Sequence, residues 1–150
     1  MYIVSLLASR GEKNTLSSDA NVDIYFIYIL IMTTQEIANR LVELCRAGEY
    51  VMCYDELFSD AVVAVWPKWS PEEEPTVGLT ALKAKGEKWH EMMEEFFWGW
   101  TWDPIVAGNF FSVAMWFTCI YKWQSEKSEE SEIVVYEVKD WKIVKEQYFY

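Results

Sequence analysis

The chain reads as an α+β domain, and three stretches predict it. The last twenty residues, Ser131 to Tyr150, form two arms rich in β-branched and aromatic residues around Lys139-Asp140-Trp141-Lys142, the pattern of a β-hairpin. Two earlier stretches, from Thr33 to Phe58 and from Thr80 to about Phe97, carry apolar residues at helical spacing. From Trp98 onward the pattern turns to strands. Helices followed by a run of antiparallel strands imply helices packed on one face of a curved sheet.

Each element has its own signal. Thr33-Thr34-Gln35-Glu36 is a capping-box pattern, which places a helix start at Thr33. Ile37, Leu41, Leu44 and Cys45 recur along one face, and Gly48 ends the helix. Glu49 to Phe58 predicts a second, shorter helix broken by Ser59-Asp60. Ala61 to Trp66 predicts a strand closed by Pro67, and residues 67–78 a loop. Thr80 caps the long helix. Gly99 to Asp103 predicts a short strand, and Ile105 to Thr118 a long one bent at Gly108-Asn109. Cys119 to Trp123 continues it or follows a bend. Gln124 to Ser131 predicts an acidic loop before the closing hairpin. Both hairpin faces carry apolar residues, so both are expected to be covered.

Composition narrows the partners. The chain of 150 residues has 24 acidic and 13 basic side chains, a net charge of -11. Such a charge opposes binding to nucleic acid and to an anionic membrane surface. The acidic runs Glu72-Glu73-Glu74 and Glu126 to Glu132 read as solvated segments. The apolar runs Tyr2 to Ala8 and Ile24 to Met32 fall short of the roughly 20 residues that span a bilayer. Residues 1–31 differ in character from the rest of the chain and are expected to be an extension before a domain spanning 32–150. Cys45, Cys53 and Cys119 form no Cys-x-x-Cys pair, so a disulfide framework or zinc site is not expected. Reduced thiols in the cytoplasm are the expectation, with all three cysteines as small buried hydrophobes.

Few residues are placed for chemistry. His90 is the single histidine, on the long helix beside Trp89; it reads either as a general base at a pocket mouth or as a surface histidine. Glu132 and Glu146 share one hairpin face with Val134, Tyr136, Val144 and Tyr148 if the turn is a three-residue loop with a bulge; a two-residue loop would pair them differently. Two carboxylates on an apolar face would raise at least one pKa and suit acid–base work; otherwise they are rim glutamates. Tyr54, on the second helix, is either a pocket hydrogen-bond donor or a core tyrosine. The aromatic set Phe58, Trp66, Trp89, Phe97, Phe111 and Trp116 either lines a cavity or fills the core. Met93, Tyr136 and Tyr148 join the same candidate lining. No phosphate loop, nucleophile elbow or paired-histidine motif occurs, so no metal and no cofactor is expected.

The segments Leu41 to Glu49 (LVELCRAGE), Tyr54 to Asp60 (YDELFSD), Gly78 to Lys85 (GLTALKAK) and Val135 to Tyr150 (VYEVKDWKIVKEQYFY) carry a resemblance across residues 33–150. Their order resembles the SnoaL-like branch of the nuclear transport factor 2-like superfamily. The resemblance implies a cone, with a curved antiparallel sheet wrapped around the helices and an apolar pocket, and a homodimer formed through the outer sheet face. It implies a small apolar ligand. It admits cofactor-free lyase, isomerase or cyclase chemistry, and equally a binding module with no catalysis. Isomerase-type members use proton-carrying residues at places that correspond here to about Leu41, Trp66 and Val134, none of which carries a proton. That departure argues against isomerase chemistry of that type. The hairpin turn also departs: relatives usually place Gly where this chain has Trp141, because the turn wants positive φ. With 9 Trp against 6 Gly, a UGA codon read as tryptophan is the reading offered for Trp141, and a peptide mass across residues 139–145 tests it.

Overall fold

The computed structural model describes residues 32–68 and 74–150; the expectations for residues 1–31 and for Glu72 and Glu73 lie outside them. Helix α1 (Thr34–Ala47) begins on a complete capping box. Thr33 Oγ1 accepts from the Glu36 amide at 3.3 Å, and Glu36 Oε2 accepts from the Thr33 amide at 2.7 Å. Two otherwise unpaired amides are satisfied in this way. Gly48 adopts φ 74 and closes the helix, donating its N–H to the Leu44 and Cys45 carbonyls. Ile37, Ala38, Leu41, Val42 and Leu44 form the buried stripe.

Helix α2 (Tyr50–Leu57) follows after this reversal and buries Cys53 and Leu57. Strand β1 (Phe58–Val65) begins three residues earlier than the sequence predicts, because Ser59-Asp60 does not break the chain but lies in the irregular first half of the strand. Strand β2 (Thr76–Val77) lies within the expected loop and pairs with β1. Helix α3 (Leu79–Met92) is capped by Gly78 rather than Thr80.

Helix α3 also ends sooner than its apolar spacing predicts. Met93 to Phe97 are not helical; they open strand β3 (Met93–Thr101). The Phe96-Phe97-Trp98 run favours a pleated surface over a helix, and pairing with the long strand β5 overrides the helical spacing. The expected bend at Gly108-Asn109 is a two-residue hairpin turn with Gly108 at φ 62. It joins β4 (Ile105–Ala107) to β5 (Phe110–Tyr121). Half of the expected acidic loop is strand as well: β6 (Ser128–Lys139) pairs Glu129 with Thr118 and Glu130 with Phe117.

The last hairpin joins β6 to β7 (Lys142–Phe149) through Asp140 and Trp141, at φ 50 and φ 61. Both central residues of the turn therefore sit where glycine is favoured. Lys139 pairs with Lys142 and Val138 with Ile143, but Glu137 then pairs with Lys145. Val144 is left over as a bulge. From that point Tyr136 stands opposite Glu146 and Val134 opposite Tyr148.

The sheet runs β2-β1-β7-β6-β5-β3, with β4 alongside β5. It is curved, unclosed and mixed rather than wholly antiparallel, because β1 pairs with β7 in parallel. Val62, Ala64, Phe111, Val113, Val134, Tyr136 and Ile143 are buried on the concave face. The opposite face is far from covered. Trp98, Trp100, Ile133 and Phe149 stand on it at 56%, 47%, 50% and 50% exposure, against the expectation that both hairpin faces would be buried. No helix among the described residues is long and apolar enough to cross a membrane.

Candidate acid–base site

The concave face places two carboxylates in a lining of aromatic rings. Glu146 is 1% exposed, the most deeply buried charged side chain described. The bulge at Val144 sets its direction: with the extra residue, Glu146 faces the interior alongside Tyr136 and next to Ala64 of β1. Its Oε1 accepts a hydrogen bond from Tyr148 Oη at 3.0 Å. Among the described residues no salt bridge reaches it or Glu132.

An ionised carboxylate without a cation is costly in such a place, so the neutral form is favoured. Burial pushes the Glu146 carboxyl up to about 8; the Tyr148 hydrogen bond works against that rise, and the charge of Glu132 adds to it. Glu132 is half-buried on the same face, and burial, with Glu130 nearby, pushes it up to about 7. Glu132 stands four positions along β6 from Tyr136, the partner of Glu146, a spacing of about 13 Å between backbones. The rung of Val134 and Tyr148 lies between them.

The rings set the shape of the site. Tyr148 stacks on Trp66 with ring centres 4.4 Å apart. The Trp66 indole N–H donates to Thr76 Oγ1 at 3.2 Å, which fixes the ring at the end of β1. Phe111 stacks on Tyr136 at 4.7 Å, Tyr136 meets Phe58 edge-on at 6.3 Å, and Phe58 meets Tyr54 at 4.9 Å. This chain of rings carries Tyr54 of α2 to the carboxylates. Burial raises the pKa of Tyr54, and the charge of Glu146 raises it further. The Tyr136 and Tyr148 phenols are likewise held far above their ordinary range by burial, so all three act as donors.

The remaining candidates lie elsewhere. His90 is exposed in the last turn of α3, its ring 6.0 Å from Tyr50 and 5.2 Å from Trp89. Trp89 itself packs on Phe117 at 5.3 Å, and Met93 is buried at the start of β3. Lys127 sits 3.6 Å over the Phe97 ring. Trp116 faces away from the carboxylates. With Trp98, Trp100 and Trp102 it lines an open groove of about 610 Å³, because alternate residues of β5 point to opposite faces. Leu41 and Val134 are buried apolar residues. Among the described residues no group of three or more His, Cys, Asp or Glu could hold a metal ion.

One pair of residues near the site was not singled out from the sequence. Cys45 at the end of α1 and Cys53 on α2 lie close enough to the carboxylates for the charge of Glu146 to act on both thiols. Their eight-residue spacing across a helix–Gly–helix corner was the available signal. Cys53 and Cys119 are buried as expected, whereas Cys45 is half-buried.

A curved sheet with helices on its concave face, holding aromatic rings and buried carboxylates between them, defines an α+β cone with an acidic interior. The SnoaL-like domain family matches residues 32–150, and the chain belongs to that family. No curated protein matches it in sequence. Among solved structures it is similar to a Mesorhizobium loti protein provisionally named a SnoaL-like polyketide cyclase and, in brackets, a carbohydrate phosphatase. The two share 28% identity with a TM-score of 0.74, over 79% of this chain and 100% of that one. A Xanthomonas campestris protein of unknown function with a cystatin-like fold is 17% identical, with a TM-score of 0.65 over 79% of this chain and 90% of its own. A Catenulispora acidiphila protein with a ketosteroid isomerase-like fold is 14% identical, with a TM-score of 0.61 over 79% and 87% of the two chains. The likenesses at 17% and 14% show the fold alone.

Proposed function

We propose that this chain is a cofactor-free pocket enzyme that moves a proton on a small apolar substrate, in the lyase, isomerase or cyclase class. The observation that carries the reading is Glu146: a buried carboxyl that no salt bridge reaches among the described residues, with a phenol 3.0 Å away. A group with a pKa near the working pH both gives and takes a proton readily. At neutral pH Glu146 is mostly protonated and serves as the acid. Glu132, lower by about one unit, is the more ionised of the two and serves as the base. Tyr148 and Tyr54 donate hydrogen bonds to oxygen on the substrate, where negative charge develops. A flat molecule lying against Tyr148 and Trp66 would span the two carboxylates. His90 has no part in this arrangement.

The test uses 1-indanone, a flat apolar ketone with an exchangeable C–H beside its carbonyl. Proton NMR in deuterated buffer follows loss of that signal, and saturation transfer in the same sample reports binding. Wild-type protein is expected to accelerate exchange, and Glu146→Gln and Glu132→Gln each to lower the rate at least about a hundredfold. Equal rates in wild type and Glu146→Gln end the catalytic reading. Binding without exchange then supports the second reading, a non-catalytic ligand-binding or dimerisation module, which the same aromatic lining favours.

The partner at the outer face is proposed to be a second copy of this chain. The support is the uncovered row of Trp98, Trp100, Ile133 and Phe149, too apolar to be left in water without a function. The compartment is proposed to be the cytoplasm, where the three free thiols stay reduced.

A further inference from the structure

We infer that Lys85 makes the site select a substrate that carries a carboxylate as well as the reacting carbon, which deepens the acid–base reading and rests on it. Helix α3 presents Leu82, Lys85 and Trp89 at i, i+3 and i+7, one face of a helix. Leu82 is buried and Trp89 packs on Phe117, so this face turns toward the concave side of the sheet. A lysine between two apolar residues in such a stripe breaks the amphipathic pattern.

The ammonium has a fixed seat. Lys85 Nζ lies 3.8 Å from the centre of the Trp66 ring. Trp66 is itself held by its indole N–H on Thr76 Oγ1 and by the Tyr148 ring stacked 4.4 Å away. Tyr148 in turn donates to Glu146. A cation, two rings and the acid therefore follow one another in a continuous line from α3 to the interior of the sheet. Seating on an indole fixes the position of the charge without neutralising it, because the ring carries no net charge. Lys85 and Trp66 are both half-buried, so pairing with an anion there is screened less than on open surface.

Other lysines near the site are committed elsewhere. Lys83 pairs with Asp55, and Lys142 Nζ donates to the Glu56 carbonyl at 2.6 Å. Lys145, next to Glu146 along β7, points to the opposite face. Against a chain of net charge -11, an anion gains at this place only from a local cation. The occupant that fits is a flat keto acid. Its carbonyl end lies beside Tyr148 and Glu146, and its carboxylate accepts a hydrogen bond from the Lys85 ammonium. The carboxylate takes no part in the proton transfer; it fixes which end of the molecule meets Glu146.

1-Indanone-5-carboxylate and its neutral carboxamide share one outline and differ in charge. Isothermal titration at neutral pH gives a Kd for each. Wild type is expected to hold the carboxylate at least about tenfold more tightly than the carboxamide, the worth of one charged hydrogen bond. Lys85→Gln should bring the ratio to about one, and Lys85→Arg should retain most of it. Sodium chloride at about 0.5 M should shrink the ratio in wild type. Equal constants for the two ketones in wild type, or a preference that survives in Lys85→Gln, overturn the proposal while leaving the pocket reading intact. Failure of both compounds to bind removes the pocket reading and the proposal together. Lys85→Met, which keeps an unbranched stem, takes the place of Lys85→Gln should that variant fail to fold.

Discussion

Tyr148 Oη donates to Glu146 Oε1 at 3.0 Å from two residues further along the same strand, and the Tyr148 ring is itself held against Trp66. A single residue thus links the ring wall of the site to its acid. The hydrogen bond stabilises the ionised carboxylate and holds its pKa below the value that burial alone would set. Tyr148→Phe should move the Glu146 titration upward by about half a unit to one unit, the worth of one hydrogen bond. Difference infrared spectroscopy of the carboxyl stretch, with Glu146→Gln as blank, measures it. A midpoint that stays put or falls contradicts the assignment.

The raised carboxyl has a stability consequence of definite sign. The ordinary value is 4.5 and the folded value about 8, so the folded state holds this proton more tightly than the unfolded chain does. The stabilisation is complete below about pH 4.5 and is lost as pH rises through about 8, at close to 1.4 kcal/mol per unit within that window. Glu132 acts in the same direction up to about 7. Glu146→Gln is neutral throughout. Urea unfolding at pH 5 and pH 8.5 should therefore show wild type losing several kcal/mol relative to the variant. Parallel pH profiles for the two proteins would falsify this account.

Trp141 predicts a gain rather than a loss. Its φ of 61 lies in the left-handed region, where a residue with a Cβ is strained by about 1–2 kcal/mol. Trp141→Gly relieves that strain while adding some freedom to the unfolded chain. The net expectation is about 1 kcal/mol of added stability, a rise of about 3 °C in Tm by calorimetry. An unchanged or lower Tm means that the half-exposed indole contributes more through contacts than its backbone costs.

The outer face yields a mass measurement. A dimer through Trp98, Trp100 and Trp116 should sediment at twice the 17.7 kDa of one chain. Trp100→Glu should shift it toward the monomer, and circular dichroism should stay unchanged. Wild-type protein that sediments as a monomer at micromolar concentration removes the proposal.

Much of the fold was legible because local chemistry and tertiary context agree there. Thr33 with Glu36, and Gly48 after Leu44, mark the ends of α1 by groups acting within one turn. The end of α3 was not legible. Phe96 and Phe97 continue a helical spacing, and only pairing with β5, remote in sequence, turns them into strand. The parallel contact of β1 with β7 is of the same kind, since the strands that meet lie some 80 residues apart. For the site, the shared face of Glu132 and Glu146 was expected of a three-residue loop with a bulge, whereas the loop has two residues and the extra residue lies in the strand. Where that residue falls, at Val144 rather than in the turn, depends on the sheet. Which face of β5 carries Trp116 depends on the same register, and spacing alone did not place it. Nothing in a lone helical histidine signals that it stands exposed, beside Tyr50 and Trp89.

The leftover residue at position 144 has a chemical meaning of its own. Were Val144 paired instead of bulged, β7 would keep the regular pairing set at Lys142, and Lys145 instead of Glu146 would stand opposite Tyr136. An ammonium would then be buried on the concave face in place of a carboxyl. The parity of one strand thus decides the sign of the charge on this face: a chain lacking residue 144 would still set Glu146 opposite Tyr136, whereas pairing residue 144 in regular register would set Lys145 there.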